Sequence, residues 1–373
     1  MAADKIRVGV IGASATYGWS ARALMPALLS VERIELAAVC TAHEDTAKRA
    51  AERWGAPLAY HDHQEMLGNP DIEAIVVTVR VPLHHRLSMD TLRAGKHIYT
   101  EWPMAVNEQE ATEMADLART QGVHTMVGLQ MRAAPIWLRV KELIAEGYVG
   151  QMLAAHMTYF EAARFKHPEE RLYHADKTRG VNTWTVTSGH GIDAFCTTVG
   201  EFTELSAVLS AQVKEWTAID TGKVVSVDAP DHILVQGRLE NGALATVRVA
   251  ALPQHPAGIR LEVYGTEGAL VATTADRSSV QVRLLGGRSG ETEMTEMEVP
   301  DRLFEADTRA RGATGASVYV SQMLHRFAVA IQTGERAQPD FDSGAARMGL
   351  LGLVDRASET GERQTVKVAS PAG

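Results

Sequence analysis

Of the 373 residues only two are cysteine, Cys40 and Cys196. Two thiols at this separation fit neither a disulfide framework nor a metal-ligand spacing. Their apolar neighbours predict buried, unreactive side chains. No apolar run approaches the roughly 20 residues that a membrane-spanning helix needs. The first residues lack the charged-then-apolar order of a secretory leader, so a cytoplasmic setting is the expectation. Positive charge is also short: 37 Lys and Arg face 46 Asp and Glu, for a net charge of -9. That balance argues against a nucleic-acid backbone as the main ligand. The chain shows neither an internal repeat nor a low-complexity linker.

What is present is ordinary for a globular protein: 45% hydrophobic and 22% charged residues. The length suits two domains of roughly 150 residues. Strand-like runs at Ile6–Ile11, Ile34–Cys40, Ile72–Val79, His97–Thr100 and Thr125–Val127 alternate with helical patterns. The helices are expected up to Ser30, at Glu44–Trp54, at Leu83–Ala94, from Asn107 to Gly122 and at Pro135–Glu146. Asn107 is a good N-cap and Gly95 a natural helix stop. Such alternation predicts a doubly wound parallel sheet with right-handed crossovers. After Gly150 the rhythm changes. His156–Phe160 reads as extended. His232–Leu239 and Ala243–Ala250 read as a hairpin around Asn241-Gly242, and Arg260–Tyr264 and Ala269–Thr273 as another around Thr266-Glu267-Gly268. The fold class expected is therefore α/β: a Rossmann domain over residues 1–130, then an α+β domain over 131–373. The second would be built on a large open, mostly antiparallel sheet, with packing of the C-terminal helices back on the first domain left open. Val320, Met323, Leu324, Phe327 and Ile331 share a helix face and should be core, and Ser343–Thr360 should form another helix. Residues 276–314 form the polar, irregular stretch expected to be mobile.

The first strand runs into Gly12-Ala13-Ser14-Ala15-Thr16-Tyr17-Gly18-Trp19. At the start of a βαβ unit such a turn presents amide hydrogens to a diphosphate. Gly12 meets the demand for a tight turn. Ser14 occupies the place of the usual second glycine and offers a hydroxyl, and Gly18 comes one residue late. Gly12, Ser14, Thr16, Tyr17, Gly18 and Trp19 are thus candidate contacts of a nicotinamide dinucleotide. The second strand ends in Cys40-Thr41-Ala42-His43, with no carboxylate to bind a ribose. Thr41, with His43, Lys48 and Arg49 nearby, would tolerate a 2′-phosphate, so the cofactor is NAD or NADP, with a lean to NADP. His61-Asp62-His63 lacks a third ligand at a sensible spacing, and no metal is expected.

Further motifs complete a pattern: Asn69-Pro70-Asp71-Ile72, Pro82-Leu83-His84-His85, Ala94-Gly95-Lys96-His97, Glu101-Trp102-Pro103, Gly128-Leu129-Gln130, Gly189-His190-Gly191-Ile192-Asp193 and Tyr264-Gly265-Thr266-Glu267-Gly268. Together they resemble the Gfo/Idh/MocA oxidoreductases across nearly the whole chain. The resemblance implies hydride transfer between NAD(P) and a hydroxyl or carbonyl, often on a sugar or polyol. It also implies a homodimer or homotetramer assembled through the open sheet. Two departures stand out. Trp102 replaces the lysine of the usual Glu-Lys-Pro, and Val186 replaces an acid four residues before His190. The long glycine loop, with Gly18-Trp19 and Met25-Pro26-Ala27-Leu28, is similar to the branch of the fungal galactose-pathway repressor, a cofactor-binding regulator.

Within that frame His190 is the candidate acid–base group, because imidazole titrates near neutrality. Asp193 could orient it from the same helix face; the alternative is a helix cap with a structural hydrogen bond. Trp102 cannot move a proton, since its N–H only donates, but it could stack on a ring. Tyr159, Arg164, Tyr173, His174 and Lys177 lie where a substituted proton donor or substrate contact is expected, and Tyr159 is carried as a catalytic candidate. Glu101, at a strand end, is a candidate for the nicotinamide ribose. His84 is either a cofactor neighbour or structural, and Gln130 is placed similarly. Two readings remain: an NAD(P)-dependent oxidoreductase, or a catalytically silent dinucleotide sensor that regulates a partner protein.

Overall fold

The computed structural model describes residues 5–162, 166–252 and 254–367. Contacts divide the chain into two compact units. The first runs to Ala133 and takes in Phe304–Met348; the second comprises Ala134–Leu303 and the chain from Gly349 onward.

In the first unit, β1 (Ile6–Ile11), β2 (Ile34–Cys40), β3 (Leu58–Tyr60), β4 (Ala74–Val77), β5 (His97–Glu101) and β6 (Thr125–Gly128) pair in the order β3-β2-β1-β4-β5-β6. Every pairing is parallel. The β-branched run of β4 is buried at every residue, as a strand covered on both faces requires. Between the strands lie α1 (Met25–Ser30), α2 (Glu44–Trp54), α3 (His63–Leu67), α4 (His84–Arg93) and α5 (Glu108–Gln121). A wider, π-type stretch, Ser20–Leu24, leads into α1. Asn107 caps α5 by accepting from Glu110 N–H at 2.9 Å, and Gly122 ends it at a φ of 64°. The strand order reverses between β1 and β4, which opens a crevice at the C-terminal ends of the strands.

The second unit carries α6 (Pro135–Ala145), β7 (Met152–Ala162), β8 (Lys166–His167), α7 (Gly189–Val199), β9 (Phe202–Ser210), β10 (Glu215–Ala218), β11 (Val224–Ser226), β12 (His232–Leu239), β13 (Leu244–Leu252), β14 (Gly258–Gly265), β15 (Gly268–Thr274), β16 (Val282–Arg288) and β17 (Thr295–Glu296). Strands β8, β10 and β11 form a small sheet of their own. The others, with β18 (Gln364–Thr365), form a nine-stranded sheet in the order β17-β16-β15-β14-β7-β13-β12-β9-β18. Only β7 and β13 pair parallel in it. One face is core, with Ala155, Met157, Tyr159, Val247, Val249, Leu261 and Val263 buried; the other leaves Val208, Leu234, Leu244 and Tyr264 exposed.

Two helices follow, α8 (Ser317–Thr333) and α9 (Phe341–Thr360). Val320, Met323, Leu324 and Phe327 of α8 join Val8, Leu24, Leu28 and Tyr99 in the core of the first unit, with Ile331 packed against it. The stretch 276–314, expected to be irregular, contains two strands, β16 and β17. Within it β16 pairs along seven residues with β15 and buries Leu284, because alternating apolar residues gave it a face to cover. Among the described residues no helix is long and apolar enough to cross a membrane.

Candidate functional site

The turn after β1 is shaped by Gly12, whose φ of 92° is rarely adopted by other residues. A Cβ there would lie 2.4 Å from the Thr78 carbonyl oxygen. Only glycine therefore lets the turns after β1 and β4 approach each other. Ser14 Oγ accepts hydrogen bonds from the amides of Tyr17 and Thr16 at 3.2 and 3.4 Å. Its hydroxyl hydrogen remains available to an anion. Trp54, the last residue of α2, donates its indole N–H to the Ser14 carbonyl at 3.0 Å. That bond fixes the loop from outside, and no local sequence signal announces it. Gly18, with a φ of 83° and open space around it, turns the chain into the helix. Thr16, Tyr17 and Gly18 are exposed there, and the Arg22 guanidinium lies 5.6 Å from the Trp19 ring centre.

At the end of β2, Thr41 Oγ1 lies 2.6 Å from Thr46 Oγ1 and donates to the His43 carbonyl. Lys48 and Arg49 pair with Glu44 and Asp45 at 2.6 and 2.7 Å on the exposed face of α2. Such exposed pairs are weak and easily rearranged. Burial and the Asp62 charge push the Cys40 thiol up to about 12, so it is no nucleophile. Asp62 caps α3 through Gln64 N–H, and His63 bonds Asp90 at 2.9 Å.

Glu101 ends β5 with its carboxylate beside Gly128, where a Cβ would come within 2.5 Å of Glu101 Oε2. Gly128 thus makes room for that carboxylate. Trp102 is buried. Gln130 is buried too, and its Oε1 has no hydrogen-bond partner among the described residues. His84 resolves toward structure: its Nδ1 lies 2.8 Å from Pro103 O and its Nε2 3.0 Å from Val79 O. Burial pushes its pKa down while the two carbonyls pull it up. The neutral ring donates its one N–H to one of these carbonyls and sits against the other, which fastens the turn after β4 to the end of β5. The glycine cradle, the Ser14 hydroxyl, the Glu101 carboxylate and the orphaned Gln130 oxygen together suit a dinucleotide.

In the second unit His190 and Asp193 sit on α7, both buried. Neither caps it. The helix continues from a π-type stretch, Thr183–Ser188, that starts at Asn182, which forms a capping box with Thr185. His190 is only 3% exposed, and its Nδ1 has no hydrogen-bond partner among the described residues. Burial and the Arg277 charge push this imidazole down to about 3, against the pull of Asp193. The free-histidine value near neutrality does not apply here, and the ring is neutral at pH 7. Tyr159, 1% exposed, packs against α7 at Gly191, where a Cβ would lie 3.2 Å from its ring. Burial pushes its phenol up to about 12, while the Arg277 charge pulls it down. Thr187 Oγ1 donates to Glu161 at 2.6 Å.

Arg277 and Glu161 are thus brought to this cluster without having been singled out from sequence. The nearest signal was a lone arginine after a strand. Tyr173 and His174 lie in the short helical segment Glu169–Ala175, with ring centres 4.4 Å apart. The Lys177 amide donates to Asp228. Arg164 lies outside the described residues.

Residues 6–129 match the model of an oxidoreductase family with an NAD-binding Rossmann fold, Gfo/Idh/MocA. Residues 135–274 match the model of the Gal80p C-terminal domain. Dehydrogenase aclE of Aspergillus oryzae is 32% identical over 245 residues, covering 63% of this chain and 67% of that protein. The galactose/lactose metabolism regulatory protein GAL80 of Saccharomyces cerevisiae is 28% identical over 259 residues, 64% of this chain and 59% of that protein. Among solved structures, levoglucosan dehydrogenase in complex with NADH and L-sorbose superposes with a TM-score of 0.84 at 23% identity, covering 98% of this chain and 100% of that one. At that identity the likeness establishes the shared fold.

Proposed function

Because the chain belongs to the Gfo/Idh/MocA oxidoreductase family and its Gal80-like branch, we propose that it is an NAD(P)-dependent dehydrogenase or reductase. Its substrate in this reading is a hydroxyl or carbonyl on a sugar-like, polyol or other polar cyclic compound. The observation that carries the reading is His190: a buried imidazole with an unsatisfied nitrogen costs stability unless it serves a ligand. The levoglucosan dehydrogenase likeness supports the substrate class.

A bound nicotinamide supplies the carbon that gives or takes the hydride. Gly12, Ser14 and Thr16 to Trp19 would hold the diphosphate, Thr41 would take the adenosine ribose, and Glu101 and Gln130 would take the nicotinamide ribose. His84 holds the turn that supports them. With no carboxylate at the end of β2 itself, where Thr41 stands, a 2′-phosphate would be tolerated, which leans the cofactor slightly to NADP. Trp102 offers a flat apolar face for stacking. His190 handles the proton at the reacting oxygen as a neutral imidazole, Asp193 sets the field around it, and Tyr159 lies in the same cluster. The exposed Val208, Leu234 and Leu244 on the open sheet support assembly as a homodimer or homotetramer. The two buried cysteines, neither of them in a disulfide, suit the reducing cytoplasm.

The test mixes purified protein with NAD+ or NADP+ and a panel of polyols, sugars and cyclic alcohols, then with ketones and reduced cofactor. Turnover is expected on at least one, falling about a hundredfold or more in His190→Asn. Trp102, in place of the lysine, and the GAL80 likeness favour a second reading, a silent dinucleotide sensor acting on a partner protein. Tight cofactor binding with no turnover across the panel would select it.

A further inference from the structure

We propose that Glu161 is a positioning residue: through its hydrogen bond to Thr187 it sets where α7 carries His190, an inference that rests on the oxidoreductase reading above. Thr187 Oγ1 donates to Glu161 Oε1 at 2.6 Å. A threonine inside a helix ordinarily bonds a carbonyl of its own preceding turn. Thr197 and Thr198 of α7 do so, donating to the Asp193 and Ala194 carbonyls at 2.8 and 2.7 Å. In the π-type stretch before α7, Thr185 donates to the Gly180 carbonyl and Ser188 to the Thr183 carbonyl. Thr187, only 3% exposed, instead reaches across to strand β7.

The register between helix and strand shows what this bond fixes. Glu161 follows Tyr159 by two residues and shares its face of β7. Gly191 follows Thr187 by four and shares its face of the helix. Thr187 meets Glu161, while Gly191 lies against Tyr159, where a Cβ would come within 3.2 Å of the ring. Two strand residues advance about 6.6 Å and four helical residues about 6 Å, so the two contacts stay in step. His190 lies between them in the chain, so they set its height along β7 and its rotation about the helix axis. The π-type turn makes such a hold useful. Its backbone bonds span one residue more than in an α-helix, and the residues that leave it need an external reference. The stretch is also held farther back, where Trp184 donates its indole N–H to Asp355 at 3.1 Å. An apolar pair could bind helix to sheet without the cost of half-burying a carboxylate. A short bond to a charged acceptor adds a fixed distance and direction. Val186 stands where the resemblance places an acid, and here a carboxylate reaches the next residue from β7 instead.

The experiment compares variants that keep the bond with variants that lose it. Thr187→Val and Glu161→Leu remove the donor and the acceptor; Thr187→Ser and Glu161→Gln keep them. On whichever panel compound the wild type turns over, Thr187→Val and Glu161→Leu should each lower kcat about tenfold, the scale of one hydrogen bond to a charged group, with KM within about twofold. The double variant should show about the same tenfold loss and not a hundredfold one, because both changes remove one interaction. Thr187→Ser and Glu161→Gln should keep about a third or more of kcat, since each retains the bond. A second readout needs neither cofactor nor turnover. In protein labelled at histidine 13Cε1, the His190 signal among the 14 histidines is identified by its loss in His190→Asn. It should move in Thr187→Val and Glu161→Leu and stay in place in the two conservative variants. Thermal melting confirms that each variant is folded. Should Glu161→Leu not fold, Thr187→Val carries the test. A folded Thr187→Val with kcat within about twofold of wild type, or with an unmoved His190 signal, would overturn the inference alone. So would a loss that falls on KM with kcat intact, or a Glu161→Gln as impaired as Glu161→Leu. No turnover by the wild type would overturn the oxidoreductase reading, and the inference with it.

Discussion

Replacing His190 by leucine separates chemistry from architecture. The wild-type ring is 3% exposed with Nδ1 unsatisfied. A buried polar atom in that state costs about 1–3 kcal/mol. Leucine removes the cost, and its imperfect shape returns at most about 1.5 kcal/mol. His190→Leu should therefore be as stable as wild type at neutral pH, or more stable by about 1–2 kcal/mol. For a unit of this size each kcal/mol moves Tm by about 2–4 °C. Turnover should fall about a hundredfold or more. The pH dependence gives an independent check. Folding lowers the His190 pKa from 6.5 to about 3. The unfolded chain thus takes up a proton that the folded chain refuses, and stability drains as pH falls from 6.5 toward 3. Its slope is at most about 1.4 kcal/mol per pH unit for one group. The leucine variant lacks this contribution and should lose less stability on acidification. Calorimetric melting at pH 7 and pH 5, alongside steady-state turnover, measures all three quantities. A Tm lower by about 5 °C or more with turnover intact would refute the reasoning, because the ring would then be structural.

Gly12→Ala places a Cβ 2.4 Å from the Thr78 carbonyl oxygen at a φ of 92°. Dinucleotide affinity by fluorescence titration should drop about a hundredfold or more, the sum of backbone strain and overpacking; unchanged affinity would contradict the cradle. Trp54→Phe removes the 3.0 Å bond to the Ser14 carbonyl. Affinity should weaken about five- to tenfold, the worth of one hydrogen bond, in a protein that still melts cooperatively. His97 Nδ1 accepts the His124 amide at 3.0 Å and so needs its lone pair, and burial pushes this ring down to about 4. Its folded pKa lies below the unfolded one, so its contribution is complete above about pH 6.5 and is lost as pH falls through 4. His97→Gln should flatten that part of the acid-unfolding curve, and an identical curve would remove His97 from it.

The alternating first unit was legible because its signals are local. Burial on both faces writes β4 as a β-branched run, and Asn107 and Gly122 mark the ends of α5. The hairpin at Asn241-Gly242 was equally local. Short elements were not: β3 and α3 have too few residues for a period to emerge. Strand β9 also escaped, because only Phe202 and Leu205 are buried along it. At the site, Gly12 and Ser14 announce themselves by their place after the first strand. Trp54 and Arg277 do not, since a tryptophan at a helix end and an arginine in a polar stretch acquire meaning only when the fold sets them against Ser14 and Tyr159. His190 was recognised, but its protonation was misjudged, because burial and a distant arginine decide it.

The account depends most on the loop between β1 and its helix holding a dinucleotide. Isothermal calorimetry with NADH and NADPH on the folded wild-type protein tests this directly. Saturable uptake of one molecule per chain by at least one of them is the predicted result. No detectable heat or fluorescence change with either, in protein that melts cooperatively, would contradict it.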